Sequence, residues 1–189
     1  DQLLYVLVLD RINQGEKMPG VVGTLMTNQA VEEGLRKLNV NLSRSKVGDR
    51  YVLEELTAQR WVLGGEGSGH LLMLDKHSTG DGLISALQVL QACLRMNSTL
   101  DQLLQAVPLF PQCLLNISIP SNLDWRTHSE FQSRIKSVEK ELGANGRVLI
   151  RESGTEPLLR IMVEAREEEL SVKYASYLAE PLSQFRNTV

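Results

Sequence analysis

Cysteine is scarce in this 189-residue chain, where only Cys93 and Cys113 occur. Two isolated thiols supply neither a disulfide framework nor the paired spacing of a metal site, and buried thiols in a cytoplasmic protein are the simplest account. Positive charge is not in excess either. Twenty lysines and arginines against 23 acidic residues leave a net charge of −3, which argues against a broad nucleic-acid-binding surface but permits a local basic pocket for an anionic metabolite. No apolar run approaches the length of a bilayer span and no signal-peptide pattern is present, so no membrane partner is expected. Internal repeats and low-complexity tracts are missing too. What remains, 42% hydrophobic and 23% charged residues, is the composition of a soluble globular protein long enough for one large domain or two small ones.

The first residues are Asp1 and Gln2 rather than a methionine, so an N-terminal piece of the protein is expected upstream, although tag removal or processing would leave the same start. Residues 2–14 are apolar on most faces and read as a buried helix ended by Gly15. Strands are expected at 21–26, 40–47, 61–64 and 71–74. Helices are expected at 29–38, capped by Thr27 or Asn28, and at 49–59, where Asp49 is a candidate cap. Gly80-Asp81-Gly82 precedes a helix at 83–95 with Ile84, Leu87, Leu90 and Leu94 on one stripe, and a short helix follows at 100–107. Such alternation favours an α/β domain with a mainly parallel sheet. Pro108 and Pro111 break the pattern and mark a boundary. Beyond it, a strand at 114–119, a helix at 127–142, strands at 147–150 and 158–164 and a helix at 168–182 give a βαββα order. That order suggests a small α+β domain with both helices on one face of an antiparallel sheet.

Two polar loops concentrate the chemistry. RVLIRESGTEPLLR, residues 147–160, sets Arg151 and Arg160 around Ser153, Gly154 and Thr155, between two apolar runs. Guanidinium forks, hydroxyls and a glycine that lets backbone N–H groups come close read as a phosphate clamp; an ordinary polar hairpin with solvated arginines is the alternative. Residues 64–70, GGEGSGH, place four glycines in six residues at a strand end, where α/β sheets commonly bind ligands. Glu66 and Ser68, two apart in an extended segment, are expected on the same side, suited to vicinal sugar hydroxyls, with His70 in register to support them. A tight turn with an exposed glutamate is the alternative. Neither a dinucleotide fingerprint nor a P-loop lysine is present.

Together, GEGSGH and RESGTEP closely resemble the C-terminal half of the α-D-phosphohexomutases. GTLMTNQAVEEGL (23–35), KVGDRYVLEEL (46–56) and LDKHSTGDGLISALQVL (74–90) support the match, most of all to the branch that acts on glucosamine phosphates. The resemblance implies the third and fourth of four domains, residues 1–110 as an α/β/α domain and 111–189 as a C-terminal α+β domain. It implies interconversion of glucosamine 6-phosphate and glucosamine 1-phosphate, on the route to UDP-N-acetylglucosamine, by way of a phosphoserine and Mg²⁺. Carried over residue by residue, Glu66, Ser68 and His70 are implied to bind the sugar. Arg151, Ser153, Gly154 and Thr155, with Arg160 beside them, are implied to grip the phosphate that is not reacting, and Asp49 or Arg50 to assist from a cleft loop. Two positions depart from the pattern: Glu152 stands where relatives often have lysine, and Gly67 where a larger residue is common.

The family's phosphoserine motif, T-A-S-H-N-P, and its metal loop, D-G-D-G-D-R, do not occur in this sequence. Gly48-Asp49-Arg50 imitates only the end of the metal loop, and one carboxylate does not make a Mg²⁺ site. The expected partners are therefore a phosphosugar and the missing N-terminal domains one and two, with homo-oligomerisation left open; the chain alone is expected to bind no metal and to be inactive. A phosphomannomutase or phosphoglucomutase fragment, or a phosphosugar-binding module without catalysis, are the competing readings.

Overall fold

In a computed structural model that describes residues 1–120, 123–153 and 156–183, the chain divides into two units, Asp1–Leu109 and Phe110–Val189. The first runs α1 (Gln2–Asn13), β1 (Gly20–Thr24), α2 (Gln29–Lys37), β2 (Asn41–Ser45), α3 (Asp49–Gln59), β3 (Leu63–Gly65), β4 (Leu71–Met73), α4 (Gly82–Arg95) and α5 (Leu100–Leu104). Its sheet has the order β2-β1-β3-β4, parallel from β2 to β3 and closed by the antiparallel β3–β4 pair. The sheet is thus mixed and mainly parallel, as the alternating pattern implies.

Local chemistry sets the boundaries. The Asn28 side chain accepts the Ala30 N–H at the start of α2, Asp81 accepts from Leu83 and Ile84 at the start of α4, and Thr99 and Gln102 form a reciprocal capping box on α5. Val22, Val52, Leu56 and Leu72 make one core cluster between sheet and α3. Gly20 is required by a close approach: a Cβ there would lie 2.2–2.6 Å from the Trp61 ring.

Two expectations for this unit are corrected. Asp49 does not cap α3; Gly48 holds the cap position with φ +125°, and no side chain caps the helix. A residue at that φ is best served by glycine, which displaces Asp49 into the first helical turn. The second correction concerns α4, whose inward face is Ser85, Val89 and Ala92 rather than the expected stripe. Leu87, Leu90 and Leu94 are 64%, 60% and 81% exposed. Small side chains let α4 sit close to α1, where Ala92 packs with Val6 and Leu103, so the bulkier leucines turn outward.

The second unit runs β5 (Gln112–Ser118), α6 (Ser129–Leu142), a single 3₁₀ turn, β6 (Gly146–Glu152), β7 (Leu158–Ala165) and α7 (Glu168–Ser183). Its three strands are antiparallel in the order β5-β7-β6. Ile117, Leu159, Ile161 and Val163 share one core with Phe131 and Val138 of α6 and Tyr174, Ala175 and Leu178 of α7. Alternation along the strands means that both helices cover a single sheet face, as the βαββα order suggests. Among the described residues no helix is long and apolar enough to cross a membrane.

Candidate phosphate- and sugar-binding loops

The sheet face turned away from the helices carries the polar groups of the second unit. Register pairs Arg147 with Glu164 and, four residues on, Arg151 with Arg160. The first pair is neutralised: Arg147 Nη2 lies 3.1 Å from the fully buried Glu164 carboxylate, which also accepts from Gln112 Nε2 at 2.7 Å. The second pair is not. Both guanidinium Nε atoms are buried without a hydrogen-bond partner among the described residues, and no carboxylate there forms an ion pair with either arginine. Burial, followed by the charge of Arg160, pulls the Arg151 guanidinium below its ordinary pKa.

Ser153 extends this face beyond the strand end. Its N–H donates to Leu158 O at 2.8 Å, closing the hairpin, while Arg160 Nη2 approaches its Oγ at 3.4 Å. Two like charges with unused donors, one hydroxyl beside them and no ion-paired acid among the described residues are a donor set that matches a compact dianion. Gly154 and Thr155, expected in the same clamp, lie outside the described residues. Glu152 points the other way, toward the helix-bearing face, as strand alternation requires.

In the first unit the glycine-rich segment joins β3 to β4. The sequence suggests an extended segment with Glu66 and Ser68 side by side; the structure instead folds it into a turn, because antiparallel strands must be joined in a few residues. Glu66 N–H donates to His70 O at 2.9 Å and Gly69 N–H to Glu66 O at 3.0 Å, with Gly69 at φ +97°. Glu66 is therefore 91% buried, being 9% exposed, while Gly67 and Ser68 are exposed at the tip.

Glu66 Oε1 accepts the Gly48 N–H at 2.8 Å, so the loop before α3 anchors the carboxylate. Asp49 lies 3.1 Å from His70 Nδ1, and Asp49, Glu66 and His70 converge with ligating atoms within 4.8 Å of one another. Burial raises the Glu66 pKa; the Gly48 N–H opposes this, Asp49 adds to it and His70 offsets it. Arg50 takes no part: it is exposed and paired with Glu54 one turn along α3, at 2.8 Å. The involvement of Asp49 and Gly48 was not legible as geometry, since the register between the β2–α3 loop and the glycine loop is a tertiary property. The cluster does not fit Mg²⁺, which prefers six oxygen ligands. It offers two carboxylates, one of them already bonded to Gly48, and an imidazole nitrogen.

Fold and loops define a class, and comparison with known proteins agrees. The model of the phosphoglucomutase/phosphomannomutase α/β/α domain III matches residues 1–110, and that of the C-terminal domain matches residues 114–180. The chain belongs to the phosphoglucomutase/phosphomannomutase family. Among curated relatives it is 62% identical over 180 residues to the phosphoglucosamine mutase of Acidovorax sp. (strain JS42), covering 95% of this chain and 40% of that protein. It is also 62% identical over 179 residues to that of Verminephrobacter eiseniae (strain EF01-2), covering 95% and 39%. The chain thus spans about two-fifths of the length of these relatives. Among solved structures, Aspergillus fumigatus N-acetylphosphoglucosamine mutase in complex with GlcNAc-6P and magnesium superposes with TM-score 0.75 at 18% identity, over 98% of this chain and 43% of that one. A phosphoglucomutase/phosphomannomutase family protein from Burkholderia thailandensis gives 0.72 at 15%, over 98% and 42%. At these identities the structures speak for the fold.

Proposed function

We propose that this chain is the substrate-gripping part of a phosphoglucosamine mutase, an isomerase that interconverts glucosamine 6-phosphate and glucosamine 1-phosphate. In this reading residues 1–110 are domain III and residues 111–189 domain IV, working in the cytoplasm. The observation that carries the proposal is the Arg151–Arg160 pair, left without a counter-ion among the described residues on a sheet face where Arg147 has one. A sugar phosphate supplies the missing charge. Arg151, Ser153, Gly154, Thr155 and Arg160 hold the phosphate that is not being transferred.

Glu66, fixed by the Gly48 N–H, accepts from sugar hydroxyls. Ser68 and His70 add a hydroxyl and an imidazole at the rim, and Asp49 orients His70. Arg50, paired along its own helix, contributes at most to the field of the cleft loop. The phosphoserine and Mg²⁺ of the reaction are assigned to parts of the enzyme that this sequence does not contain, so the share of these residues is to bind and orient. The chain alone is accordingly inactive and binds its phosphosugar weakly.

The test is a chimera in which residues 1–180 replace the corresponding part of the Acidovorax relative, assayed with glucosamine, glucose and mannose phosphates. Turnover of glucosamine 6-phosphate, abolished by Arg151→Ala, is expected. A folded chimera that prefers glucose or mannose phosphates, or that tolerates Arg151→Ala, would refute the proposal.

A further inference from the structure

Glu152 ends β6, immediately before the loop that carries Ser153. Its side chain is exposed, yet its carboxylate is held by two partners. One oxygen, Oε1, accepts both the Trp125 indole N–H at 2.8 Å and Arg126 Nη1 at 2.6 Å. The Arg126 guanidinium lies over the Trp125 ring, 4.5 Å from its centroid, and the indole meets Phe131 edge-on with centroids 6.0 Å apart. Phe131 is fully buried in the core of its unit. Gln132 Nε2 donates to the Trp125 carbonyl at 3.2 Å, fixing the backbone of the same segment. A chain of contacts therefore runs from the helical core through Trp125 to the last residue of β6.

Its effect is exerted through strand geometry. Consecutive residues of a strand face opposite sides, so a hold on Glu152 from the helix side fixes the pleat on which Arg151 and Ser153 face the other side. We infer that Trp125, Arg126 and Glu152 form a brace that positions the Arg151–Ser153 edge of the phosphate loop. Glu152 acts as a positioning residue that touches no substrate. Its negative charge is paired with Arg126 at 2.6 Å, which reduces its opposition to an anion in the adjoining loop. The two donors on one oxygen hold the Glu152 carboxyl below the usual carboxylate range, in keeping with a contact that persists through neutral pH. The inference rests on the phosphate reading of the loop.

The test uses the 189-residue chain with Trp61→Phe, leaving Trp125 as the sole indole reporter. Inorganic phosphate is titrated by fluorescence, and backbone amide exchange is measured without ligand. Glu152→Ala is expected to bind phosphate about tenfold more weakly, the lower end of what orienting partners contribute at metal sites. It should also lose exchange protection at Ser153 N–H while residues 147–150 keep theirs. Glu152→Gln retains an acceptor oxygen and should restore most of both, and Arg126→Gln should give a weaker form of the alanine result. Phosphate binding and Ser153 protection unchanged in Glu152→Ala would overturn the brace alone. No phosphate response in the parent, or one that survives Arg151→Ala, would overturn the phosphate reading and the brace with it.

Discussion

Removing one of the paired guanidiniums should make the chain more stable and less able to bind. Arg151 and Arg160 stand directly opposite each other on antiparallel strands, where Cβ atoms are about 5 Å apart. Two unit charges at about 6 Å repel by roughly 0.7–2.8 kcal/mol for effective dielectrics between about 80 and 20. The side chains are half-buried, so solvent screening favours the low end, about 1 kcal/mol. Arg160→Met removes the charge, keeps much of the aliphatic stem and gives up only the 3.4 Å approach to Ser153 Oγ. Relief of about 1 kcal/mol corresponds to a rise of roughly 2–4 °C in Tm for a chain of this size. A charge-assisted hydrogen bond to phosphate contributes about 1.5–3 kcal/mol, so phosphate affinity should fall roughly 10- to 150-fold. Thermal melts followed by Trp125 fluorescence, in chloride and in phosphate at matched ionic strength, read both effects. The parent should gain stability with phosphate, about 2.7 kcal/mol at 100 times Kd. Arg160→Met should start higher and scarcely respond. A variant that melts lower in chloride, or keeps the full phosphate response, would refute the idea that this pair is a strained receptor awaiting an anion.

The Glu66 carboxyl, its pKa raised by burial, holds its proton more tightly folded than unfolded. Its contribution to stability is therefore greatest below the unfolded pKa and is lost as pH rises through the folded one. Glu66→Gln should raise Tm at pH 8, with the gain vanishing near pH 4; a melt series across that range checks it, and a lower Tm at pH 8 would contradict it. Gly20→Ala must displace the Trp61 ring, which would stand 2.2–2.6 Å from the new Cβ. A loss of about 1–3 kcal/mol with a shifted Trp61 emission is expected. On α4, Leu87→Gln should change stability by less than about 0.5 kcal/mol. Val89→Ala, at a position 6% exposed, should cost about 1.5 kcal/mol for two lost methyl equivalents; denaturant midpoints would reverse that order if the leucine stripe were the packed face.

Element order was legible because strands and helices here carry their own punctuation. Asn28, Asp81 and Thr99 cap where hydroxyl, amide and carboxylate side chains should, and the β-branched run around Val21 and Val22 forms the fully buried β1. The face of α4 was not legible. Periodicity finds a stripe of large apolar residues, but Ser85 and Ala92 win the interior because close helix packing rewards small side chains. The candidate phosphate loop was readable as residue types, since Arg151, Ser153 and Arg160 lie within ten residues on either side of a hairpin. What could not be read was that the arginines face each other with no ion-paired acid among the described residues, because that depends on register four residues away from Arg147 and Glu164. The turn at Glu66 was likewise hidden: its carboxylate is anchored by the N–H of Gly48, eighteen residues earlier in the chain.

The most direct test of the account is an amide-resolved NMR titration of the chain with glucosamine 6-phosphate. Saturable shifts centred on Ser153 and its hairpin, with Kd weaker than micromolar and no such shifts in Arg151→Ala, are expected. Unmoved Ser153 signals, or the same shifts in the variant, would contradict the claim that Arg151 and Arg160 are built to receive a phosphate.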